Sequence, residues 1–279
     1  MSRTIGGALR MARSVLGAFL EDRDAEREAR LILSHVTGRS QASLLADADG
    51  ELGAEAQRRL TLLLDARRQR QPLSQLIGSV EFYGRRFEVS EDVLTPRPDT
   101  ETLIDIALEA PFSRVLDLGT GSGCILATLL AERPGATGLG TDLSEAALAV
   151  AERTIGALAL GGRAELRQSD WFGAVDGTFD LIVSNPPYIT AEEMQTLAPE
   201  VRNWEPQMAL TPGGDGLDAY RAILAGMPDH LARSGRLIVE IGYGQGTAVS
   251  DLFRAAGLEN VTCHADLSGK DRVVSGSRV

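Results

Sequence analysis

From residue 114 onward the chain alternates short apolar runs with longer amphipathic ones. Residues 114–118, 137–141, 164–168, 179–184 and 236–241 read as strands, and 122–132, 145–157, 218–233 and 247–256 as helices. Residues 261–265 and 272–276 read as a terminal antiparallel pair. Strand–helix alternation demands parallel strands joined by crossover helices, which predicts an α/β fold around a mostly parallel sheet. Such sheets hold their ligands beyond the carboxyl ends of the strands. The residues that follow each strand are therefore the candidate functional residues.

The fourth strand leads into Ser184-Asn185-Pro186-Pro187-Tyr188. Two prolines cannot continue a central strand, and each holds its predecessor extended, so the chain leaves the sheet in a stiff loop. The Asn185 side chain offers a carbonyl oxygen and an NH2 group. With the Pro186 carbonyl it supplies two acceptors suited to gripping a planar NH2, against which the Tyr188 ring can lie. The alternative is an ordinary proline-rich turn. The first strand ends in Asp117-Leu118-Gly119-Thr120-Gly121-Ser122-Gly123. Three alternate glycines allow a sharp bend and close approach of a ligand. The spacing departs from the dinucleotide fingerprint, although this loop alone leaves an NAD site open. It resembles the first motif of S-adenosylmethionine-dependent methyltransferases with a Rossmann-like sheet.

Asp142 ends the second strand, where a carboxylate can accept from a ribose diol, cap the following helix, or do both. Asp170 and Trp171 follow the third strand. Asp170 can accept from an adenine NH2 and Trp171 can cover the ring; a plain core aromatic is the competing reading of Trp171.

Residues 4 to about 70 repeat apolar positions at helical spacing, with Gly38 as a stop. This segment is either a purely structural bundle or a docking domain. Pro72 closes it. Residues 76–80 and 86–89 read as two strands around Tyr83-Gly84, a hairpin connector. Pro98 opens a helix reaching about residue 109. Three segments result: 1–70 helical, 71–95 hairpin linker and 96–279 sheet domain.

The 279 residues carry 28 basic and 39 acidic side chains, a formal net charge of −11. That opposes broad binding to nucleic acid or an anionic membrane. Arg67, Arg68 and Arg70 form one candidate basic patch, for which a solvated helix face is the favoured reading. Lys270 is the only lysine, and Cys124 and Cys263 have neither disulfide nor metal-ligand spacing. His35, His230 and His264 sit in no metal motif, so no metal is expected. No apolar run reaches the roughly 18 residues of a membrane span. Met1 to Leu20 lacks the continuous apolar core of a signal peptide. A reducing, cytoplasmic setting and a monomer are the expectations.

The order of glycine turn, Asp142, Asp170-Trp171 and Asn-Pro-Pro-Tyr resembles class I methyltransferases that act on planar nitrogens. Thr95-Pro96-Arg97-Pro98-Asp99-Thr100-Glu101, Asp170-Trp171-Phe172 and Val201-Arg202-Asn203-Trp204-Glu205-Pro206 are similar to the PrmC/HemK family, the protein-(glutamine-N5) methyltransferases of peptide chain release factors. The resemblance spans nearly the whole chain, including a helical N-terminal docking domain and a hairpin. It implies S-adenosyl-L-methionine held by Gly119, Thr120, Gly121, Ser122, Gly123, Asp142, Asp170, Trp171 and Asn185. It implies Asn185, Pro186, Pro187 and Tyr188 around the glutamine of a Gly-Gly-Gln motif, with Asn185, Pro186 and Tyr188 catalytic. Release factors would be the partners.

Overall fold

The computed structural model describes residues 4–279, so the first three residues of the expected helical domain lie outside the description. Those residues form two compact units, one reaching to Gly78 and taking in Pro199–Trp204, the other comprising Ser79–Ala198 and Glu205–Val279.

The first unit holds α1 (Ile5–Leu16), α2 (Asp22–Thr37), α3 (Gln41–Ala46), α4 (Ala54–Arg68) and α5 (Leu73–Ile77). A short helix from much later in the chain, Pro199–Trp204 (α9), belongs to it as well. Thr4 caps α1, its hydroxyl accepting from the Gly7 N–H at 3.2 Å, and Gly38 ends α2 in the left-handed conformation. Ile5, Ala8, Ala12, Leu16, Ile32, Leu33, Leu60 and Leu64 bury the helical stripes against one another. The basic patch read at 67–70 is largely taken up by ion pairs within the first unit. Arg67 is 4% exposed and bonds both oxygens of Glu28 (2.7 and 3.2 Å), and it shares Glu200 of α9 with Arg70. Only Arg68 keeps the solvated role, beside Asp65. The indole N–H of Trp204 donates to the Gln69 carbonyl at 3.2 Å.

Two boundaries differ from the expected ones. The strand read at 76–80 begins only at Ser79, because Leu73, Leu76 and Ile77 are spaced for a helical turn and Gly78 (φ 77°) ends it. The unit boundary therefore falls after Gly78, inside the segment read as a linker. The hairpin proper is β1 (Ser79–Phe82) paired with β2 (Arg85–Glu88), in the second unit.

The second unit continues with a 3₁₀ turn at Pro98–Thr100, then α6 (Glu101–Leu108), β3 (Arg114–Leu118), α7 (Cys124–Glu132), β4 (Thr137–Asp142), α8 (Glu145–Ala157), β5 (Ala164–Gln168) and β6 (Phe179–Ser184). After α10 (Gln207–Leu210) come α11 (Asp218–His230), β7 (Leu231–Glu240), α12 (Gly246–Ala255), β8 (Glu259–Ala265) and β9 (Asp271–Ser277). The sheet order is β5-β4-β3-β6-β7-β9-β8, with the first five strands parallel and β9 antiparallel to both of its neighbours, β7 and β8. The helix expected to reach residue 233 stops at His230 after Pro228, and β7 starts early. A bulge absorbs the difference, since Phe179 pairs with Leu231 but Leu181 with Arg236.

Alternate residues of each central strand enter opposite cores. Val115, Leu181, Val183 and Ile238 pack under α6 and α7, while Leu116, Ile182, Leu237 and Val239 pack under α11 and α12. Burial on both faces is why these strands are near-continuous apolar runs. Successive strands run to opposite sides of β3, so β3 and β6 form the topological switch point. Leu118 is level with Thr141 and with Ser184, and Ser184 with Val239, so the carboxyl ends of four strands open at one height. No helix among the described residues is long and apolar enough to cross a membrane.

Candidate active site

A cavity of about 220 Å³ lies over those strand ends, within the second unit. Its floor is the loop between β3 and α7. Gly119, Gly121 and Gly123 have φ of 70°, 54° and 76°, the region where a side chain is strained. Nothing stands within 4 Å of where a Cβ would project from Gly119 or Gly121. Below, Asp117 is fully buried and braces the turn. Its Oδ2 accepts from the Thr120 hydroxyl (2.6 Å) and the Leu126 N–H (3.3 Å), while Oδ1 is buried without a partner. Burial pushes this carboxyl up to about 7, against the pull of those two hydrogen bonds.

Asp142 joins the two neighbouring loops. Its Oδ2 accepts from the Gly121 N–H and its Oδ1 from the Ser144 N–H, each at 2.9 Å. The helix cap is Ser144, whose hydroxyl accepts from the Ala147 N–H. Capping is therefore not what Asp142 does, and each of its oxygens keeps a second lone pair for the cavity. After β5, Asp170 is exposed and Trp171 sits half-buried with φ 47°. The Ser169 hydroxyl holds this turn, donating to the Trp171 carbonyl at 2.8 Å and accepting from the Ala174 N–H. Trp171 lines the cavity and also rests on the core beneath.

After β6 the buried Ser184 hydroxyl ties the strand end to the Leu118 carbonyl at 2.7 Å. Asn185 lines the cavity and donates from Nδ2 to the Thr100 hydroxyl at 3.3 Å. Pro187 also lines it, whereas Gly123, Pro186 and Tyr188 do not. The Tyr188 hydroxyl points to Glu240 Oε1 at 3.4 Å, and the Tyr188 carbonyl accepts from Gln245 Nε2 at 3.0 Å. Burial and the Glu240 charge drive the Tyr188 hydroxyl pKa upward, so it stays protonated.

Four positions at or behind the cavity were not singled out from sequence. Thr100, from the turn before α6, lines the cavity and donates to Glu240 Oε2 at 2.6 Å. Glu240 ends β7, is 1% exposed, and is pushed up to about 7 by burial. A lone carboxylate inside Leu237-Ile238-Val239-Glu240-Ile241 was the signal that could have found it. Arg97 also lines the cavity, and Glu205 stands behind it, fully covered. His230 stacks on Phe172 and His264 bonds Ser275, both away from the cavity. Among the described residues no group of three or more His, Cys, Asp or Glu is placed to hold a metal.

The chain matches the Methyltransferase small domain family over residues 98–215 and the PrmC N-terminal domain over residues 8–78. By structure it is similar to a methyltransferase from Pyrococcus furiosus (TM-score 0.55, 16% identity, covering 81% of this chain and 99% of that one). It is also similar to the catalytic domain of human METTL16 (TM-score 0.56, 17% identity, 81% and 82% covered). At those identities the likeness speaks to the fold alone. It is the Rossmann-like fold of methyltransferases, and the family match places residues 98–215 in that class. By sequence it is 56% identical over 252 residues to the release factor glutamine methyltransferase of Cereibacter sphaeroides, covering 90% of this chain and 91% of the relative. The corresponding protein of Caulobacter vibrioides is 47% identical over 255 residues, covering 89% and 88%. The chain belongs to the release factor glutamine methyltransferase family.

Proposed function

We propose that this enzyme transfers a methyl group from S-adenosyl-L-methionine to the side-chain amide nitrogen (N5) of the glutamine in the Gly-Gly-Gln motif of peptide chain release factors. The observation that carries the reading is that one cavity is lined by the glycine loop, by Asp142 and by Asn185. A cofactor site and an amide-gripping side chain thus share one small volume.

The residues fit the cofactor. Space above Gly119 and Gly121 is open, and Asp142 keeps acceptor capacity at the cavity wall. In this reading Gly119, Thr120, Gly121, Ser122 and Gly123 form the cradle. Asp142 accepts from the ribose diol, Asp170 and Trp171 flank the adenine, and Asn185 borders the methionine end. When bound, the cofactor supplies an electrophilic methyl on a sulfonium whose departure needs no acid.

An amide nitrogen is a poor nucleophile because its lone pair is delocalised into the carbonyl. The protein's task is to orient it. Asn185 Oδ1 and the Pro186 carbonyl accept its two N–H bonds, which aligns the lone pair and favours the positive charge that develops on nitrogen. Pro187 stiffens the loop, and Tyr188 backs it from the Glu240 side rather than covering the amide. The surplus proton leaves to water, since the methylated amide is acidic. Glycines beside the target glutamine let its backbone enter a narrow mouth. The helical first unit docks the release factor, and the enzyme works as a cytoplasmic monomer without direct contact to nucleic acid.

The test is to incubate the chain with a release factor and methyl-labelled cofactor, then locate the label by peptide mass spectrometry. Label on the Gly-Gly-Gln glutamine is the expected result. Label elsewhere, or none, contradicts the reading.

A further inference from the structure

A side-chain amide is nearly symmetric in shape, and only its hydrogen-bond partners decide which end faces a ligand. For Asn185 that choice is decisive. Presenting Oδ1 to a substrate NH2 makes a hydrogen bond; presenting Nδ2 opposes donor to donor. We propose that Thr100 and Glu240 are positioning residues that lock the Asn185 amide, holding its NH2 on Thr100 and leaving Oδ1 for the methyl-accepting nitrogen. This inference rests on the amide-gripping role given above to Asn185.

The lock follows from counting protons. An ionised carboxylate only accepts. The Thr100 hydroxyl is 2.6 Å from Glu240 Oε2, the length of a charge-assisted O–H···O bond, so its single proton is committed there. What Thr100 turns toward Asn185 is then a lone pair, which can receive only the NH2 end, found at 3.3 Å. Water does not compete for these groups, because Thr100 is 2% and Glu240 1% exposed. The three residues come from the turn before α6, the end of β6 and the end of β7. Their meeting is a product of the sheet order.

The lock has a condition. If Glu240 takes up a proton, the Thr100 hydroxyl is no longer obliged to donate to it. It can then donate to Asn185 Oδ1 and turn the amide over. The groups facing Glu240 are Asp99 and Thr100 from the turn, Tyr188 from the loop, Arg272 from β9, Tyr220 from α11 and Cys124 from α7. Of these only Arg272 is cationic. It is also paired with Asp99 (3.1 Å) and Asp266 (3.3 Å), which leaves Glu240 able to protonate near neutrality.

The experiment compares wild type with T100V, T100S, E240Q and N185A, at saturating cofactor with an intact release factor as substrate. It measures kcat, KM, the pH profile of kcat, cofactor affinity by calorimetry and the melting temperature. T100V should lower kcat roughly ten- to a hundredfold with cofactor affinity unchanged, and T100S, which restores the hydroxyl, should recover most of it. Wild-type kcat should fall on the acid side as one group titrates between about pH 6 and 8, and that limb should be missing in E240Q. T100V working at the wild-type rate while N185A fails would overturn the lock alone. N185A working at the wild-type rate would overturn the amide-gripping reading itself. Should T100V not fold, the wild-type profile decides: a kcat flat down to about pH 5.5 overturns the lock.

Discussion

Arg97 and Glu205, 108 residues apart in sequence, meet at the cavity wall, with Arg97 Nη2 2.7 Å from each carboxylate oxygen of Glu205. Each belongs to one of the sequence stretches that carry the family resemblance, so those two stretches are two halves of one contact. Pro206, Met208 and Ala209, immediately after Glu205, line the same cavity. The pair therefore ties the wall that follows the Asn-Pro-Pro-Tyr loop to the turn that carries Thr100.

Breaking that pair should cost stability. Glu205 is almost wholly buried, and burial already raises its pKa against the opposing pull of Arg97. In Arg97→Gln the carboxylate loses its cation. Arg97 itself is 42% exposed, so the expected loss is about 1–3 kcal/mol rather than the larger cost of a fully buried pair. Urea unfolding of wild type and variant measures it. An unchanged midpoint would mean that Glu205 finds another partner.

Asp142→Asn should weaken cofactor binding. Asn keeps one acceptor oxygen but loses the charge and the second acceptor, at a cost of roughly 1.5–3 kcal/mol or about ten- to a hundredfold in affinity. Because Asp142 also accepts from Gly121 and Ser144, a small drop in melting temperature should accompany the loss. Equal affinity by calorimetry would sink the ribose assignment.

Stability and turnover should run in opposite directions with pH. Glu240 and Asp117 are both held up at about 7 by burial, whereas in the unfolded chain each titrates near its ordinary value of about 4. Below about pH 4 both states hold these protons and the groups contribute nothing. As pH rises from about 4 to 7 the unfolded chain releases them first, so the folded state loses stability across that window. Over this range the melting temperature of wild type should decline relative to that of Glu240→Gln. Identical slopes for the two proteins would contradict the raised pKa of Glu240.

Most of the sheet was legible because each strand buried on both faces is a near-continuous apolar run, and each loop of interest follows one. Strands 164–168 and 179–184 fall where their residues say. Where the signal is shared between helix and strand, as in Leu73-Ser74-Gln75-Leu76-Ile77, the reading slipped, since five residues cannot display a period. The glycine loop, Asp142 and Asn185 were found by their positions after strands. The Thr100–Asn185–Glu240 chain was not, because its members lie 85 and 140 residues apart and only the strand order brings them together. Arg67 misled for a related reason: sequence shows three arginines clustered at the end of a helix, but not the Glu28 and Glu200 that bury one of them.

The most direct test of the whole reading is a three-way methyl-acceptor assay. The enzyme is given labelled S-adenosyl-L-methionine and, separately, an intact release factor, the same factor with its Gly-Gly-Gln glutamine changed to alanine, and an adenine-containing oligonucleotide. The acidic chain is poorly suited to a polyanion, although an adenine amino group is as planar as an amide. Label on the intact release factor alone is the expected result. Undiminished label on the alanine variant, or robust transfer to the oligonucleotide, would contradict the assignment of a glutamine amide as the methyl acceptor.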